Sequence, residues 1–224
     1  MSAAEDGHIR DAVAGAETRP PGSELVAEGE ALDRARIVLS GWAARVRMLS
    51  DGRRQILSFL LPGDAFGIAA RPCGFAPCTI SALTAVTIAE LPGLSSAIAG
   101  PDVSQGLGAI AWCILRHEEM FLQNQLVRVG RQTAYERTAH LLLELYHRLK
   151  AVSFTQGNGY VLPLTQEMLA DALGLSVVHT NRTLQQLRRD KLIETHGSAI
   201  SILQPETLAR VADFREPALP GPKS

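Results

Sequence analysis

The chain has 224 residues, with 22 lysines and arginines against 23 aspartates and glutamates, and its formal net charge is −1. This balance gives no whole-molecule sign of nucleic-acid or membrane binding, so any site for a polyanion must be local. A chain of this length buries one large hydrophobic core or two modest ones. It contains no apolar run of about 18 residues, and its amino terminus is acidic where a signal peptide would be basic. We therefore expect a cytoplasmic protein with no membrane contact.

Residues 1–20 lack apolar periodicity and end in the turn sequence RPPG, which predicts a flexible tail. Residues 21–100 then contain short β-type runs separated by Gly, Pro and Asp, among them ARIVLSG, RQILSFLLPG and CTISALTAVTIAELPG. The sequence Ser50-Asp51-Gly52 is a hairpin signal between two such runs. Several short strands at near-regular spacing predict a small β barrel or jelly roll.

Residues 101–130 change to a helical period and predict one long helix. Its first apolar row holds Leu107, Ile110, Ala111, Ile114 and Phe121, and its second holds Trp112, Leu115, Leu122, Leu126 and Val129. A helix with two apolar faces must bury both, which favours one face on the β domain and the other on a partner chain. We therefore expect a homodimer through residues 104–129. The alternative is a helix wholly buried in its own monomer.

Residues 131–152 predict a connecting helix that stops before the loop SFTQGNG. Five basic residues lie on this helix or just before it, namely Arg128, Arg131, Arg137, Arg148 and Lys150. They could contact the phosphates of a nucleic acid, or they could form an ordinary solvated helix face. The sequence leaves both interpretations open.

The following sequence LTQEMLADALGLSVVHTNRTLQQLRRDKLIE predicts a helix-turn-helix. Thr165 is an N-cap candidate for a nine-residue helix, and Gly174 is its left-handed stop. Two helices that cross over a tight turn need a small residue where their backbones approach, and Ala170 supplies it. Thr180 takes the inward position on the second helix.

A rotation of about 100° per residue separates the faces of that second helix. Its core face carries Thr180, Thr183, Leu184 and Leu187, and the opposite face carries Val178, Arg182, Gln185 and Arg189, with His179 and Asn181 at its flanks. An arginine and an amide make bidentate contacts to guanine and adenine edges, and an apolar tip can touch a thymine methyl. The pattern therefore predicts a DNA-reading helix, and we expect Thr165, Gln166 and Ser176, at the two helix starts, to contact DNA as well.

The sequence KLIETHGSAISILQP predicts two short strands around His196-Gly197-Ser198, which would form a wing beside the second helix. The predicted winged helix-turn-helix spans residues 153–214, and residues 215–224 form a second tail. The alternative is a helical hairpin without a role on DNA.

A β-rich first half, a long two-faced helix and a terminal winged helix-turn-helix resemble the Crp/Fnr family of bacterial transcription regulators. The resemblance covers about residues 21–214 and is strongest in SDGRRQILSFLLPGDAFG, AYERTAHLLLELYHRL, LPLTQEMLADALGLS and NRTLQQLRRDKLIE. It implies an α+β chain: a cyclic-nucleotide-binding-like jelly roll, a dimerisation helix and a winged helix-turn-helix. It further implies a homodimer on a pseudo-palindromic double-stranded DNA operator, with Arg182 reading a base, and it is compatible with a contact to RNA polymerase.

The chain also departs from that family. Val178 stands where relatives commonly carry an acidic residue, and Asn181 stands where they often carry serine. In the sensor half, Gly67 is followed by Ile68 without the glutamate that binds ribose, and the place of the phosphate-binding arginine reads Pro77-Cys78-Thr79. A cyclic phosphate would lose its main charge-assisted contact there. We infer that cyclic AMP is not the effector, with Arg71 as a substitute cation to be considered.

The cofactor stays open, although the chain lacks the clustered cysteines with which some relatives hold an iron–sulfur cluster. Cys73 and Cys78 could form a redox pair or bind metal, or they could be two small loop residues, and two ligands do not make a metal site. We expect Cys113 in the core. His117 leaves haem conceivable, but a single histidine on such a helix is usually structural.

No nucleophile–base pair, phosphate loop or metal-ligand spacing favours an enzyme. The remaining alternative to a DNA-binding regulator is a ligand- or redox-sensing module that acts through protein contacts.

Overall fold

The computed structural model describes residues 13–68, 74–98 and 106–215. The chain divides into two compact units, Met1–Leu126 and Val127–Ser224. The boundary falls inside the longest helix, a few residues before the predicted start of the connecting helix at residue 131. Most of both predicted tails lies outside the described residues, as do Arg71, Cys73 and Ser104.

Two four-stranded antiparallel sheets form the first unit, with strand orders β1-β8-β3-β6 and β2-β7-β4-β5. The strands are β1 (Glu17–Arg19), β2 (Glu24–Val26), β3 (Arg36–Ser40), β4 (Ala43–Met48), β5 (Arg54–Leu60), β6 (Ala65–Phe66), β7 (Thr79–Ala82) and β8 (Val86–Glu90). Side chains from both sheets meet in one core, including Val38 and Ile88 from the first and Leu60 and Ile80 from the second. The predicted jelly roll is confirmed.

The predicted boundary of the amino-terminal tail is wrong, because the tail contains strand β1. Glu17–Arg19 pairs with the edge of β8, and the hydroxyl oxygens of Thr18 and Thr87 lie 3.1 Å apart. A three-residue strand has no alternation of its own to detect in the sequence. It forms because β8 offers free backbone groups at the sheet edge.

The hairpin predicted at Ser50-Asp51-Gly52 joins β4 to β5 and is confirmed. Met48 pairs with Arg54 at the end of the ladder, and Gly52 has the positive φ of 85° that favours glycine. The Asp51 carboxylate accepts hydrogen bonds from the backbone and side chain of Arg53, which lower the pKa of Asp51.

After the short helix α1 (Leu94–Ala97), the long helix α2 (Gly106–Arg131) packs on the first unit through part of the first predicted apolar row. Leu107, Ala111 and Ile114 contact a cluster that contains Ala35 and Leu94. Ile110, assigned to the same row, is exposed instead. The row is therefore a narrower stripe than the sequence predicts.

Two polar contacts also hold α2 to the sheets. On the neighbouring strands, Ser58 and Ile80 lie directly opposite Arg45, so the three side chains point to the same face of the sheet. Because Ile80 belongs to the hydrophobic core, this is the inner face. The Arg45 guanidinium lies 3.0 Å from the Glu118 carboxylate and donates to Ser58 Oγ at 3.3 Å, with only 11% of the side chain exposed. Farther along α2, the buried Gln125 donates to the carbonyl of Ile56 at 3.5 Å.

The second predicted row of α2 is largely uncovered in the single chain. Its exposed apolar side chains are Trp112, Leu122, Leu126 and Val129, joined by Ile110 and Val127. Leu126 is 71% exposed. The alternative of a helix wholly buried in its own monomer is therefore wrong. Cys113, expected in the core, is exposed as well, because it lies beside this row rather than on the sheet side.

The second unit contains α3 (Ala134–Ala151), α4 (Gln166–Leu173), α5 (Val177–Arg189) and α6 (Pro205–Val211), with a sheet ordered β10-β11-β9. Its strands are β9 (Gly159–Val161), β10 (Ile193–His196) and β11 (Ala199–Ile202). Helix α3 begins later than predicted because Thr133 and Glu136 form a capping box at its start. Strand β9 and helix α6 were not predicted, whereas the two wing strands are confirmed.

Three of the five basic residues around α3 have neither of the two predicted roles, which were phosphate contact and an ordinary solvated helix face. Arg128 is 3% exposed and donates to Glu144 Oε2 at 2.8 Å, and Arg148 lies 3.5 Å from the other oxygen of the same carboxylate. Arg137 is half-buried and donates to the carbonyl of Leu173 at 2.9 Å. A desolvated guanidinium needs a nearby acceptor, so these side chains serve the core of the unit rather than DNA or solvent.

Glu144→Leu should destabilise the second unit strongly, because it leaves the Arg128 charge buried without its carboxylate. We expect a loss of about 3–5 kcal/mol in the free energy of unfolding, measured by urea denaturation. The double variant Arg128→Met/Glu144→Leu should recover part of that loss, since it also removes the buried Arg128 charge; Arg148 still lacks its carboxylate, so the recovery is incomplete. A double variant no more stable than the single one would contradict this account of the pair.

Candidate nucleic-acid interface

The turn between α4 and α5 is built as the sequence predicts. Thr165 caps α4 by accepting a hydrogen bond from the Met168 amide at 3.1 Å, and Gly174 ends the helix in the left-handed region with φ of 63°. The helix has eight residues rather than nine. Ala170 is buried, and its carbonyl accepts from the Leu175 amide at 3.0 Å, so its small side chain lies where the chain turns tightly.

Helix α5 begins at a second cap and buries the predicted face. Ser176 Oγ accepts from the His179 amide at 3.2 Å, which satisfies one of the free amides at the helix start. The buried residues of α5 are Thr180, Thr183, Leu184 and Leu187, as predicted. Thr183 donates to the carbonyl of His179 at 2.9 Å. Among the described residues, the buried Thr180 hydroxyl finds no hydrogen-bond partner.

The opposite face of α5 presents apolar and polar groups to solvent. Val178 is 71% exposed, and Arg182 and Gln185 are exposed one and two turns farther along the helix. No described residue accepts a hydrogen bond or forms an ion pair with the Arg182 guanidinium. Gln185 donates to Asn181 Oδ1 at 3.4 Å, which is a weak contact, so both amides can exchange it for a ligand.

The remaining predicted contact residues lie at the start of α4, at the start of α5 and at the end of α5. Thr165 and Gln166 are exposed at the start of α4, and His179 is exposed at the start of α5. Arg189 is exposed, but it donates to Gln186 Oε1 at 2.5 Å within its own helix. Arg182 is therefore the better placed of the two arginines to bind an external acceptor.

Beyond α5, the wing is tied to the reading helix by a side-chain bond that the sequence did not reveal. Arg188 donates to Thr195 Oγ1 on β10 at 2.8 Å. Gly197, with φ of 58°, turns the chain between β10 and β11. The wing hairpin thus starts from a fixed point next to the end of α5.

Two further hydrogen bonds that support the helix-turn-helix were not predicted from the sequence. The Tyr135 hydroxyl on α3 donates to Asp190 Oδ2 at 2.6 Å, just after the last residue of α5. Partial burial and this acidic partner raise the pKa of Tyr135 to about 12, and the same bond lowers the pKa of Asp190. Arg137 holds the carboxyl-terminal end of α4 through the carbonyl of Leu173. Both bonds join residues far apart in the chain, so no local pattern announces them.

The comparisons with known proteins agree with this architecture. Residues 17–95 match the cyclic nucleotide-binding domain, and residues 136–211 match the Crp-like helix-turn-helix domain. The nitrogen fixation regulation protein FixK of Rhizobium meliloti is 34% identical over 85% of this chain and 84% of its own length. The transcriptional activatory protein AadR of Rhodopseudomonas palustris is 30% identical over 86% of this chain and 79% of its own length. The solved structure of FixK2 from Bradyrhizobium japonicum superposes with a TM-score of 0.78 at 26% identity, covering 90% of this chain and 98% of that one.

The chain belongs to the Crp/Fnr family. It is a DNA-binding transcription regulator whose helix-turn-helix is α4 and α5. The resemblance inferred from the sequence is confirmed, and so is the predicted fold.

The sensor half of this Crp/Fnr chain is described only in part around the expected ligand positions. Ile68 is half-buried, and residues 69–73 lie outside the described residues. Cys78 is a buried thiol just before β7, and burial raises its pKa, which disfavours the reactive thiolate. His117 is half-buried, with its ring centroid 6.4 Å from that of Phe121.

Across the residues that the structure describes, no group of three or more His, Cys, Asp or Glu side chains could hold a metal ion. Within the same residues, no helix has the length and apolarity to cross a membrane.

Thr180→Val should stabilise the second unit by about 1 kcal/mol, because valine has nearly the same shape and removes a buried hydroxyl without a protein partner. Thr183→Val is the matched control, since that hydroxyl donates to a carbonyl, and we expect no gain from it. Urea denaturation of both variants measures the difference. Equal effects of the two substitutions would show that the Thr180 hydroxyl is satisfied in solution.

Proposed function

We propose that this Crp/Fnr regulator binds a pseudo-palindromic operator as a homodimer and that Arg182 reads a guanine in each half-site. The observation that carries the proposal is the exposed Arg182 guanidinium, which has no acceptor among the described residues. It projects from the face of α5 opposite to the buried Thr180 and Leu187. A guanidinium in this position can bond both O6 and N7 of guanine in the major groove.

The residues around Arg182 complete the proposed interface. Asn181 and Gln185 supply amides that can bond an adenine edge, and His179 lies one turn closer to the helix start. Thr165, Gln166 and Ser176 lie at the two helix starts, where hydroxyl and amide groups typically bond phosphate oxygens. Arg189 is held by Gln186, so we propose that it contacts the phosphate backbone only after releasing that bond.

The uncovered face of α2 supports the homodimer. The seam residues are Trp112, Leu115, Leu122, Leu126 and Val129, whose spacings of three, seven, four and three fit a two-helix seam interrupted once, at Glu119. Most of this seam is exposed in the single chain, and large contiguous apolar surfaces mark protein interfaces. Two copies of α5 in one dimer would read two half-sites, which explains how a module with balanced local charge binds DNA tightly.

We further propose that DNA binding does not require cyclic AMP. The proposal rests on the missing glutamate after Gly67 and on Pro77-Cys78-Thr79 in place of the phosphate-binding arginine. Because the function is exerted on DNA, we place the protein in the cytoplasm. A contact with RNA polymerase would follow from regulation at a promoter.

Arg182→Ala should remove the preference for the operator while leaving weak general binding to DNA. One lost bidentate contact corresponds to about 1–3 kcal/mol, or roughly a tenfold to hundredfold loss in affinity for the selected site. The operator is first selected from random DNA, and the affinities are then measured by gel shift without added cyclic nucleotide.

Arg53→Ala serves as the matched control because it removes the same charge from the exposed tip of the β4–β5 hairpin. We expect it to keep the operator preference. If selection yields no preferred sequence, the helical hairpin serves protein contacts instead. If Arg182→Ala binds like the original chain, the reading face is misassigned.

Leu126→Glu should convert the dimer into a monomer, because it places a charge at the most exposed apolar position of α2. Sedimentation velocity measures the change directly. Met48→Glu is the control, since Met48 is also largely exposed but lies on β4 in the first unit. If both variants sediment as assemblies of the same mass as the original protein, the α2 face is not the dimer interface.

A further inference from the structure

The first two residues of the reading helix are both valine, and both are exposed. Val177 is 42% exposed and Val178 is 71% exposed. A β-branched side chain loses rotamer freedom in a helix, and an exposed one gains no burial in return. The exposed part of each valine side chain is therefore available for an apolar contact in a complex.

Val178 is the valine that shares the face of Arg182. The two residues are four positions apart, which corresponds to about 40° of rotation around the helix, whereas Val177 lies about 140° from Arg182. Val178 also precedes Arg182 by one turn toward the helix start, and in a helix-turn-helix the residues near that start contact the base edges. Its side chain thus continues the face that the helix-turn-helix presents to DNA.

In the major groove, the apolar group that a base presents to an apolar side chain is the C5-methyl group of thymine. Three of the four bases present only hydrogen-bonding atoms there, while thymine adds a C5-methyl group. Ser176 already caps the neighbouring amide of His179, and the Val178 side chain has no hydrogen-bonding atom to offer a base edge. An apolar side chain gains free energy only against the methyl group.

We propose that Val178 is a specificity-determining residue that selects thymine through its C5-methyl group, next to the base pair read by Arg182. This inference rests on the proposed function, because it requires α5 to enter the major groove. It adds the identity of one further base in the half-site and the atom by which that base is recognised.

Uracil tests the proposal, because it pairs as thymine does and lacks only the methyl group. Each thymine of the selected operator is replaced in turn by uracil, in both half-sites, and the affinity is measured. One replacement in each half-site removes two methyl contacts from the dimer complex, so binding should weaken about fifteenfold, which is about fourfold for each buried methyl group. In Val178→Ala the same replacement should have a clearly smaller effect, since the shorter side chain buries less of the methyl group.

The matched control is Val152→Ala, which shortens another exposed valine of the same unit at the end of α3. It should keep the full sensitivity to uracil. A cytosine at the sensitive position should bind more weakly than thymine, and 5-methylcytosine should restore part of the loss because it carries the same methyl group.

The proposal is overturned if no thymine of the operator is sensitive to uracil, or if the sensitivity is unchanged in Val178→Ala. These outcomes are distinct from failure of the proposed function. That failure would already appear as the absence of any selected operator or as unaltered reading by Arg182→Ala.

Discussion

A buried ion pair fixes the last turn of α2 against α3 in the second unit of this regulator. Arg128, near the end of α2, donates to Glu144 in the middle of α3, and the same carboxylate also faces Arg148. Removing a charge from water costs several kcal/mol, so the pair persists only because its geometry and its hydrogen bond are good. The position of α3 follows from this contact, and α3 in turn supports α4 through Arg137 and the end of α5 through Tyr135.

In the first unit, polar side chains with little exposure also hold α2 in place. Arg45 leaves the inner side of a sheet and meets Glu118, and Gln125 reaches a strand carbonyl. Such contacts specify one position along and around the helix, which an apolar stripe alone fixes less sharply. Polar bonds therefore help to hold this part of α2 on the sheets, while its second apolar row stays largely uncovered in the single chain.

The helix-turn-helix could be predicted closely from the sequence because its determinants are local. Thr165, Gly174 and Ser176 act within a few residues of their own positions, and the faces of α5 follow from the helical period alone. The arginines around α3 could not be placed, because their acceptors lie elsewhere in the chain: Arg128 pairs with Glu144 across a helix break. Strand β1 was not predicted for a related reason: it forms only by pairing with β8, which lies far away in the chain.

The burial of these ion pairs has a consequence for how the protein responds to ionic strength. At physiological salt, dissolved ions screen exposed charges from one another beyond about 8 Å, but they hardly reach a pair such as Arg128 and Glu144, whose side chains are 4% and 6% exposed. The exposed Arg182 guanidinium is open to dissolved ions, and the phosphate contacts proposed for a DNA complex would weaken steeply with salt. Concentrated salt should therefore release the protein from nucleic acid while the Arg128–Glu144 pair remains intact, so bound DNA should be removable during purification without breaking this pair.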